Sequence, residues 1–348
     1  MKKYNAVAVG TVLIAVLAFA AVVALTIGAV PILPAEICHI IIAELSGNVD
    51  ASTALSDPRY AIIWELRLPR IILAMCVGGG LAVCGLIMQA IVKNPLADPY
   101  ILGISSGASL GATLAVLLGI GMALGENAIG IAAFVGAFLL SIAVIGIANV
   151  GGRANSVKLL LAGMALSAVC GALSGFVIFW SGDSGSAGQI VFWLMGSIAG
   201  AKWSMLAVIV PIVCIGILFF WSQSRLLNLM LLGDETAITL GADLHIYRQM
   251  YLPISALIVG FIVYASGVVG FVGLLVPHAV RMFVRNDHRV TIPIAALVGA
   301  IFLVVADICC RTLIPRTELP IGLFISAIGA PCFVYLMIRK RYTFGGRV

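Results

Sequence analysis

Residues 102–112 read LGISSGASLGA. The stretch Gly103-Ile104-Ser105-Ser106-Gly107 inside it fits G-x-S-x-G, the turn that presents a hydrolase's nucleophilic serine. Two folds are at stake: an α/β enzyme with a strained elbow, or a helix whose small residues pack. An elbow serine sits between a strand and a helix, with a histidine and an acid beside it. Here the pentapeptide lies early in an apolar run that opens with Asp98-Pro99, which predicts an N-cap followed by proline at the first helical position. The four histidines, His39, His245, His278 and His288, fall in loops or at the ends of apolar runs. The G-x-S-G of intramembrane serine proteases is missing too, because Ile104 stands where its first glycine belongs. Gly103, Gly107 and Gly111 recur every four residues, so they predict two overlapping G-x-x-x-G units on one helix face. Ser105 and Ser109 form a second small-residue row. The helix is the better reading, and Ser105 has no expected catalytic role.

Composition extends that reading to the whole chain. Of 348 residues, 62% are hydrophobic and 10% charged, and the mean hydropathy is +1.19. A soluble domain carries roughly 25% charged residues. This chain cannot cover its surface in water, which predicts an all-α polytopic membrane protein. Windows of about twenty apolar residues mark ten spans: Ala6–Val30, Leu68–Val92, Pro99–Leu118, Ala128–Val150, Lys158–Trp180, Ser204–Trp221, Met250–Ser266, Val269–Phe283, Thr291–Cys310 and Leu319–Ile338. Ile190–Ala199 reads as a half-helix and Ala35–Leu45 as a short helix in a loop. The first apolar run exceeds the core of a signal peptide and lacks a cleavage site before Pro31, which predicts a retained span.

With the N-terminus inside, fourteen of the twenty Lys and Arg fall on the inner side and six on the outer. The outer six are Arg59, Arg67, Arg70, Lys202, Arg311 and Arg316. The bias predicts cytoplasmic termini and accounts for the net charge of +6 without nucleic acid. The longest polar inner segment is 222–249. In it Gly233 interrupts, Asp234 is placed to N-cap a short helix, Gly241 to end it at C′, and Asp243 to cap the next span. Such a capped element outside the membrane has the shape of a docking site, though a plain connecting loop would fit the same residues.

Ten spans suggest transport. The fourteen carboxylates map to loops or span ends, except Asp307, which lies one turn from Arg311 and can be neutralised by it. No carboxylate chain crosses the bilayer, which disfavours proton coupling; an ion-coupled secondary transporter with backbone sites stays open. There is no G-x-x-x-x-G-K-[ST] loop and no Gly-Lys dipeptide, so the chain has no ATPase site of its own. Seven of eight cysteines lie in or near apolar runs without a C-x-x-C pair, and His278 has no second ligand at helical spacing. No metal or other cofactor is expected.

Ordered motifs run from about residue 60 to the C-terminus. They include Arg67-Leu68-Pro69-Arg70, Gly85-Leu86-Ile87-Met88-Gln89-Ala90, Asn94-Pro95-Leu96-Ala97-Asp98-Pro99, Phe192-Trp193-Leu194-Met195-Gly196, Asp287-His288-Arg289 and Glu318-Leu319-Pro320-Ile321-Gly322. This series resembles the FecCD family, the permease subunits of ABC importers for iron–siderophore, haem and cobalamin. The resemblance implies the type II ABC importer permease fold in one transmembrane domain, residues 1–348, with 1–59 as first span and outer loop, 60–348 as family core and 222–249 as coupling segment. It implies a second permease copy, identical or closely related, two ATP-binding subunits inside, and an extracytoplasmic substrate-binding protein at the inner membrane of a prokaryote.

Roles follow by position. Arg67, Arg70 and Arg311 match the outer arginines that pair with glutamates of the binding protein. Alternatively Arg67 and Arg70 are headgroup anchors and Arg311 is neutralised by Asp307. Gly233, Asp234, Glu235, Gly241 and Ala242 match the segment that fits a groove on the ATPase. Asn155, Ser156 and Val157 match the cytoplasmic gate. The third, fifth and tenth spans are expected to line the pathway. Iron–siderophore is the first expected cargo, with haem and cobalamin behind it.

Overall fold

The computed structural model describes residues 3–339 apart from 29, 47–56, 120–124, 126, 153, 183, 285 and 315–316. Lys2, Arg153, Arg285, Arg316, Lys340, Arg341 and Arg347, which enter the charge count above, therefore lie outside the described residues. All regular secondary structure among the described residues is helical. In order come α1 (Lys3–Thr26), α2 (Pro34–Leu45), α3 (Pro58–Val92), α4 (Ile104–Leu118), α5 (Ala128–Asn149), α6 (Ser156–Ser181) and α7 (Ser184–Leu194). Then follow α8 (Trp203–Ser222), α9 (Ser224–Leu232), α10 (Asp234–Thr239), α11 (Leu244–Ser266), α12 (Val272–Phe283), α13 (His288–Thr312) and α14 (Ile321–Arg339).

Seven helices, α1, α3, α5, α6, α8, α11 and α13, are long and apolar enough to cross a membrane. Three more, α4, α12 and α14, are apolar but shorter. These ten coincide with the ten expected spans, and α2, α7, α9 and α10 lie between them. Three of the differences in boundary have clear physical reasons. First, α3 begins at Pro58 and runs 35 residues, its first turns wound as a π-helix over Ile62–Arg67. Second, the half-helix is α7, six residues earlier at its start than predicted; Gly196, at φ +73°, turns the chain behind it, and the Ser197 amide donates to the Ser266 carbonyl.

The third difference concerns the opening motif. Asp98 caps only a 3₁₀ turn, Pro99–Leu102, accepting from the Tyr100 amide. Gly103 then adopts the left-handed region at φ +74°, and the α-helix starts at Ile104. The chain before α4 is thus not α-helical while Pro99 packs against Gly273, itself beside the Leu81 carbonyl about two thirds of the way along α3. A second non-helical stretch, 267–271, leads into α12. The two meet: the Tyr100 hydroxyl donates to the Val269 carbonyl and accepts from the Val269 amide, both at 3.3 Å. Irregular backbone at membrane depth is tolerated where protein buries it and satisfies its polar groups.

At the centre stands α3, with 83% of its most apolar window buried. Its close neighbours α13 and α12 approach through glycine. A Cβ on Gly78 would strike the Gly299 carbonyl, and one on Gly85 the Gly273 backbone. Without a hydrophobic drive between helices in lipid, such backbone approach supplies the dispersion contact that holds the bundle. The α4–α5 pair repeats the device: a Cβ on Gly107 would strike the Gly136 carbonyl, one on Gly111 the Ala132 carbonyl, and one on Gly103 the Leu140 side chain. At the periphery, α1 and α6 have only 6% and 22% of their apolar windows buried.

Candidate functional site

Both ends of the bundle carry polar clusters. At one end α3, α5 and α8 finish while α6, α11 and α13 start; we call it the Lys93 end. The opposite, Arg67 end holds the last turns of α1, α11 and α13.

The segment between α8 and α11 occupies the Lys93 end. Ser224, Leu227 and Met230, spaced three apart, turn one face of α9 into the protein. Gly233 at φ +104° breaks the chain, and α10 follows. The N-cap of α10 is Gly233, and no side chain caps it. Asp234, predicted as the cap, is instead the first helical residue, with its carboxylate turned to two cations. Arg248 Nη1 and Nη2 donate to Asp234 Oδ2 and Oδ1 at 3.0 and 2.5 Å, and Lys93 Nζ to Oδ1 at 3.1 Å. The Arg248 bonds first, then Lys93, hold this carboxyl down to about 2 against a burial effect that would raise it. The end of α10 is closed as the glycine predicts. Gly241 lies at φ +82°, its amide donates to the Ile238 carbonyl, and the Ala242 amide to the Ala237 carbonyl, each at 2.9 Å. That is the paired closure of a Schellman motif. Asp243 caps α11 through the His245 amide. The Glu235 side chain lies outside what is described.

Outward, this segment shows an apolar edge. Ile238, Leu240, Leu232 and Ile246 are 60–65% exposed, while Ala237 is fully buried behind them.

The predicted gate residues are neighbours of this segment. Asn155 caps α6, accepting from the Lys158 amide at 2.9 Å. It lines a cleft of about 160 Å³ together with Asp234, Ile238, Asp243, His245 and Arg248. Val157 is exposed, and the Ser156 side chain lies outside what is described. The last residue of α5, which leads into the loop before α6, is tied to α11 by Gln249 Nε2, which donates to Asn149 Oδ1 at 2.7 Å.

The Arg67 end corrects one expectation. Arginines matched to contacts with a binding protein would be open to a partner, and the structure turns these three inward. Arg67 is 6% exposed, and its guanidinium donates to the Leu25, Thr26 and Val30 carbonyls. Arg311 donates to the Ala24 and Ile27 carbonyls and contacts Asp307 at 3.0 Å. Arg70 bridges the buried Asp307 at 2.7 Å and the exposed Glu318 at 2.8 Å. The reason is local. The last turn of α1 leaves its carbonyls unpaired, and these sit at the negative end of a helix dipole, so cations are drawn to them. An arginine stays charged even where it is buried, so these carbonyls meet full positive charges. The three still line one cavity of about 290 Å³ together with Glu318, Leu66 and Gly28.

Several residues of these clusters were not singled out in the sequence: Lys93, Arg248, Gln249 and Asn228. Asn228 Nδ2 donates to Asp287 Oδ1 at 2.9 Å, and its Oδ1 accepts from the His288 amide at 2.9 Å. The Asp287-His288-Arg289 motif was the available signal, since an N-cap motif leaves room for a partner from another helix. For Asp234 and Arg248, fourteen residues apart, no local signal exists. Among the described residues no group of three or more His, Cys, Asp or Glu is placed to hold a metal ion, and His278 is buried within α12.

Comparison with known proteins gives concordant matches. The signature of the FecCD transport family covers residues 15–339. The hemin transport system permease protein HmuU of Yersinia pestis is 42% identical over 298 residues, 83% of this chain and 87% of that one. The vitamin B12 import system permease protein BtuC of Klebsiella pneumoniae is 39% identical over 290 residues, 82% of this chain and 85% of that one. A solved inward-facing structure described as a metal-chelate type ABC transporter superposes with a TM-score of 0.79 at 30% identity, covering 96% of this chain and all of that one.

Proposed function

The chain belongs to the FecCD transport family, and from that premise we propose that it is the membrane-spanning subunit of an ATP-driven importer for a metal tetrapyrrole, haem or cobalamin. It is a multi-pass permease and not an enzyme; it has no nucleotide loop, and ATP hydrolysis falls to partner subunits. The family resemblance alone put iron–siderophore first. The relatives of about 40% identity are named for haem and vitamin B12 instead, and both cargoes are bulky metal chelates.

The observation that carries the coupling role is the apolar edge of Leu232, Ile238, Leu240 and Ile246. It projects from a helix closed at Gly241 and Ala242, beside the gate loop of Asn155, Ser156 and Val157. We place the two ATP-binding subunits there, with the Lys93 end cytoplasmic together with both termini, as the Lys and Arg bias favours. Gly233, Asp234, Glu235, Gly241 and Ala242 then form the contact segment, and a push on it reaches the gate across one cleft. A second permease copy is placed against α6 and α14, whose outer faces are largely uncovered; Phe179 and Trp180 of α6 are 85% and 77% exposed. The whole chain acts as one transmembrane domain, with 222–249 as its coupling part.

The Arg67 end is the proposed seat of the substrate-binding protein. Since Arg67 and Arg311 are engaged with α1 and Arg70 with Asp307 and Glu318, the exposed Glu318 is the group of this cluster first met by a partner, and the three arginines shape the cavity behind it. A buried guanidinium cluster still attracts an acidic side chain at short range.

Uptake assays decide the reading. Cells lacking their own haem and cobalamin permeases, supplied with this chain, its ATP-binding subunits and its binding protein, should take up haemin or cobalamin. Uptake should vanish in Ile238→Glu while the permease still reaches the membrane. Uptake of a ferric siderophore alone would return the cargo to the first expectation. Uptake driven by an ion gradient without ATP-binding subunits would overturn the importer assignment.

A further inference from the structure

Two features at the Lys93 end are not explained by a contact surface alone. One is Lys93 itself. It ends α3 at φ +56°, a left-handed conformation that costs a side chain and favours glycine. A lysine held there marks a position where the side chain has a task. Its ammonium reaches Asp234 Oδ1 at 3.1 Å and lies 3.9 Å from where a Gly233 Cβ would stand. The other is Asn228, on the inward side of α9. With both ends of its amide it takes over the N-terminus of α13, giving to Asp287 and receiving from His288. His288 Nδ1 also lies 2.7 Å from Asn228 Oδ1.

Together these side chains fasten the coupling segment at two points. Asp234 ties the start of α10 to the end of α3 through Lys93 and to α11 through Arg248. Asn228 ties α9 to α13. The three spans so reached are not peripheral: α3 is the buried centre, and α11 and α13 pack against it with 56% and 50% of their windows buried. A short helix on two glycine joints, at Gly233 and Gly241, would otherwise yield when pushed. The Asp234 side chain is 48% exposed, so the ion pairs add little to folding. What they add is geometry.

We propose that Asp234 and Asn228 are positioning residues that bolt the coupling segment to α3, α11 and α13, so that force applied at Ile238 and Leu240 moves the spans instead of bending the segment. This rests on the coupling reading above. The device has a recognisable failure: the ATP-binding subunits still bind and still hydrolyse, but cargo does not move in step.

The test uses the whole complex in proteoliposomes, with haemin and cobalamin as probes. Three quantities are read: retention of the ATP-binding subunits on the permease, ATP hydrolysed per cargo delivered, and melting temperature. Lys93→Gly is the decisive variant, because glycine suits the left-handed cap yet cuts the tie between Asp234 and α3. It should keep its melting temperature and subunit retention, while the ATP spent per cargo rises several-fold. Asp234→Asn combined with Asn228→Leu should raise that ratio by about tenfold or more, within the range of coupling constants between sites. Asp234→Glu, which keeps the charge, should stay near the unaltered ratio. An unchanged ratio in Lys93→Gly and in the double variant overturns the proposal. If the double variant fails to assemble, the two single replacements carry the same comparison. The coupling reading fails separately: Ile238→Glu would then leave subunit retention and uptake intact.

Discussion

The two ends of this bundle use the same kinds of side chain in opposite ways. At the Arg67 end, cations turn inward. Arg67 and Arg311 cap the last carbonyls of α1, and Asp307, 1% exposed, lies between Arg70 and Arg311. At the Lys93 end, the carboxylate of Asp234 is half exposed, and its cations reach out to hold a separate stretch of chain. Buried charges must be paired, and losing one partner strands the other; exposed pairs cost little to break. The difference teaches that one end is built for stability and the other for placement.

The sharpest way to break that contrast is to remove one carboxylate from each end. Asp307→Ala leaves Arg311 with no carboxylate and Arg70 with Glu318 alone, so it should cost about 3–5 kcal/mol and lower the yield of folded protein in detergent. Next come the helix contacts that both ends depend on. Gly107→Leu drives a side chain into the Gly136 carbonyl and should cost about 1–3 kcal/mol or more, read as aggregation on size exclusion. Ser105→Ala should leave uptake unchanged. At the Lys93 end the effect on stability is small: Asp234→Ala should cost about 0.2–1 kcal/mol, below the shift that most melting assays of membrane proteins resolve. Smallest of all is the response to pH. The Asp234 carboxyl is held down to about 2, below the ordinary value near 3.9. Its contribution is therefore complete above the unfolded value and is lost only as pH falls toward the folded one. The ratio of ATP spent to cargo delivered should be flat from about pH 5 to 8 as far as this group is concerned. A slope there would show that another titrating group governs the contact.

Much of this architecture is legible in the sequence where the signal is local. Apolar runs mark the seven long helices and the three shorter ones, and Gly241 and Asp243 mark the end of α10 and the start of α11. The four-residue glycine repeat marks the α4 face that meets α5. The failures are equally physical. Asp98-Pro99 reads as a helix start because a 3₁₀ turn and an α-helix share the same cap chemistry, and only Gly103 at φ +74° separates them. Asp234 reads as a cap because its partners are remote: Lys93 is 141 residues away and Arg248 fourteen. Arg67 reads as exposed because a charge at a span end is ordinarily solvated, and nothing near it in sequence announces the open carbonyls of α1, some forty residues earlier. Asn228 is one amide in an apolar helix, and its meaning depends on Asp287, 59 residues on.

The account stands or falls on where the ATP-binding subunits meet this chain. Site-directed cross-linking tests that directly, with Ile238→Cys at one end and Leu313→Cys, an exposed position, at the other. The expected result is a cross-link from Ile238→Cys to the ATP-binding subunit, strengthened or weakened by nucleotide, and none from Leu313→Cys. A cross-link from Leu313→Cys alone would place the motor at the Arg67 end and contradict the account.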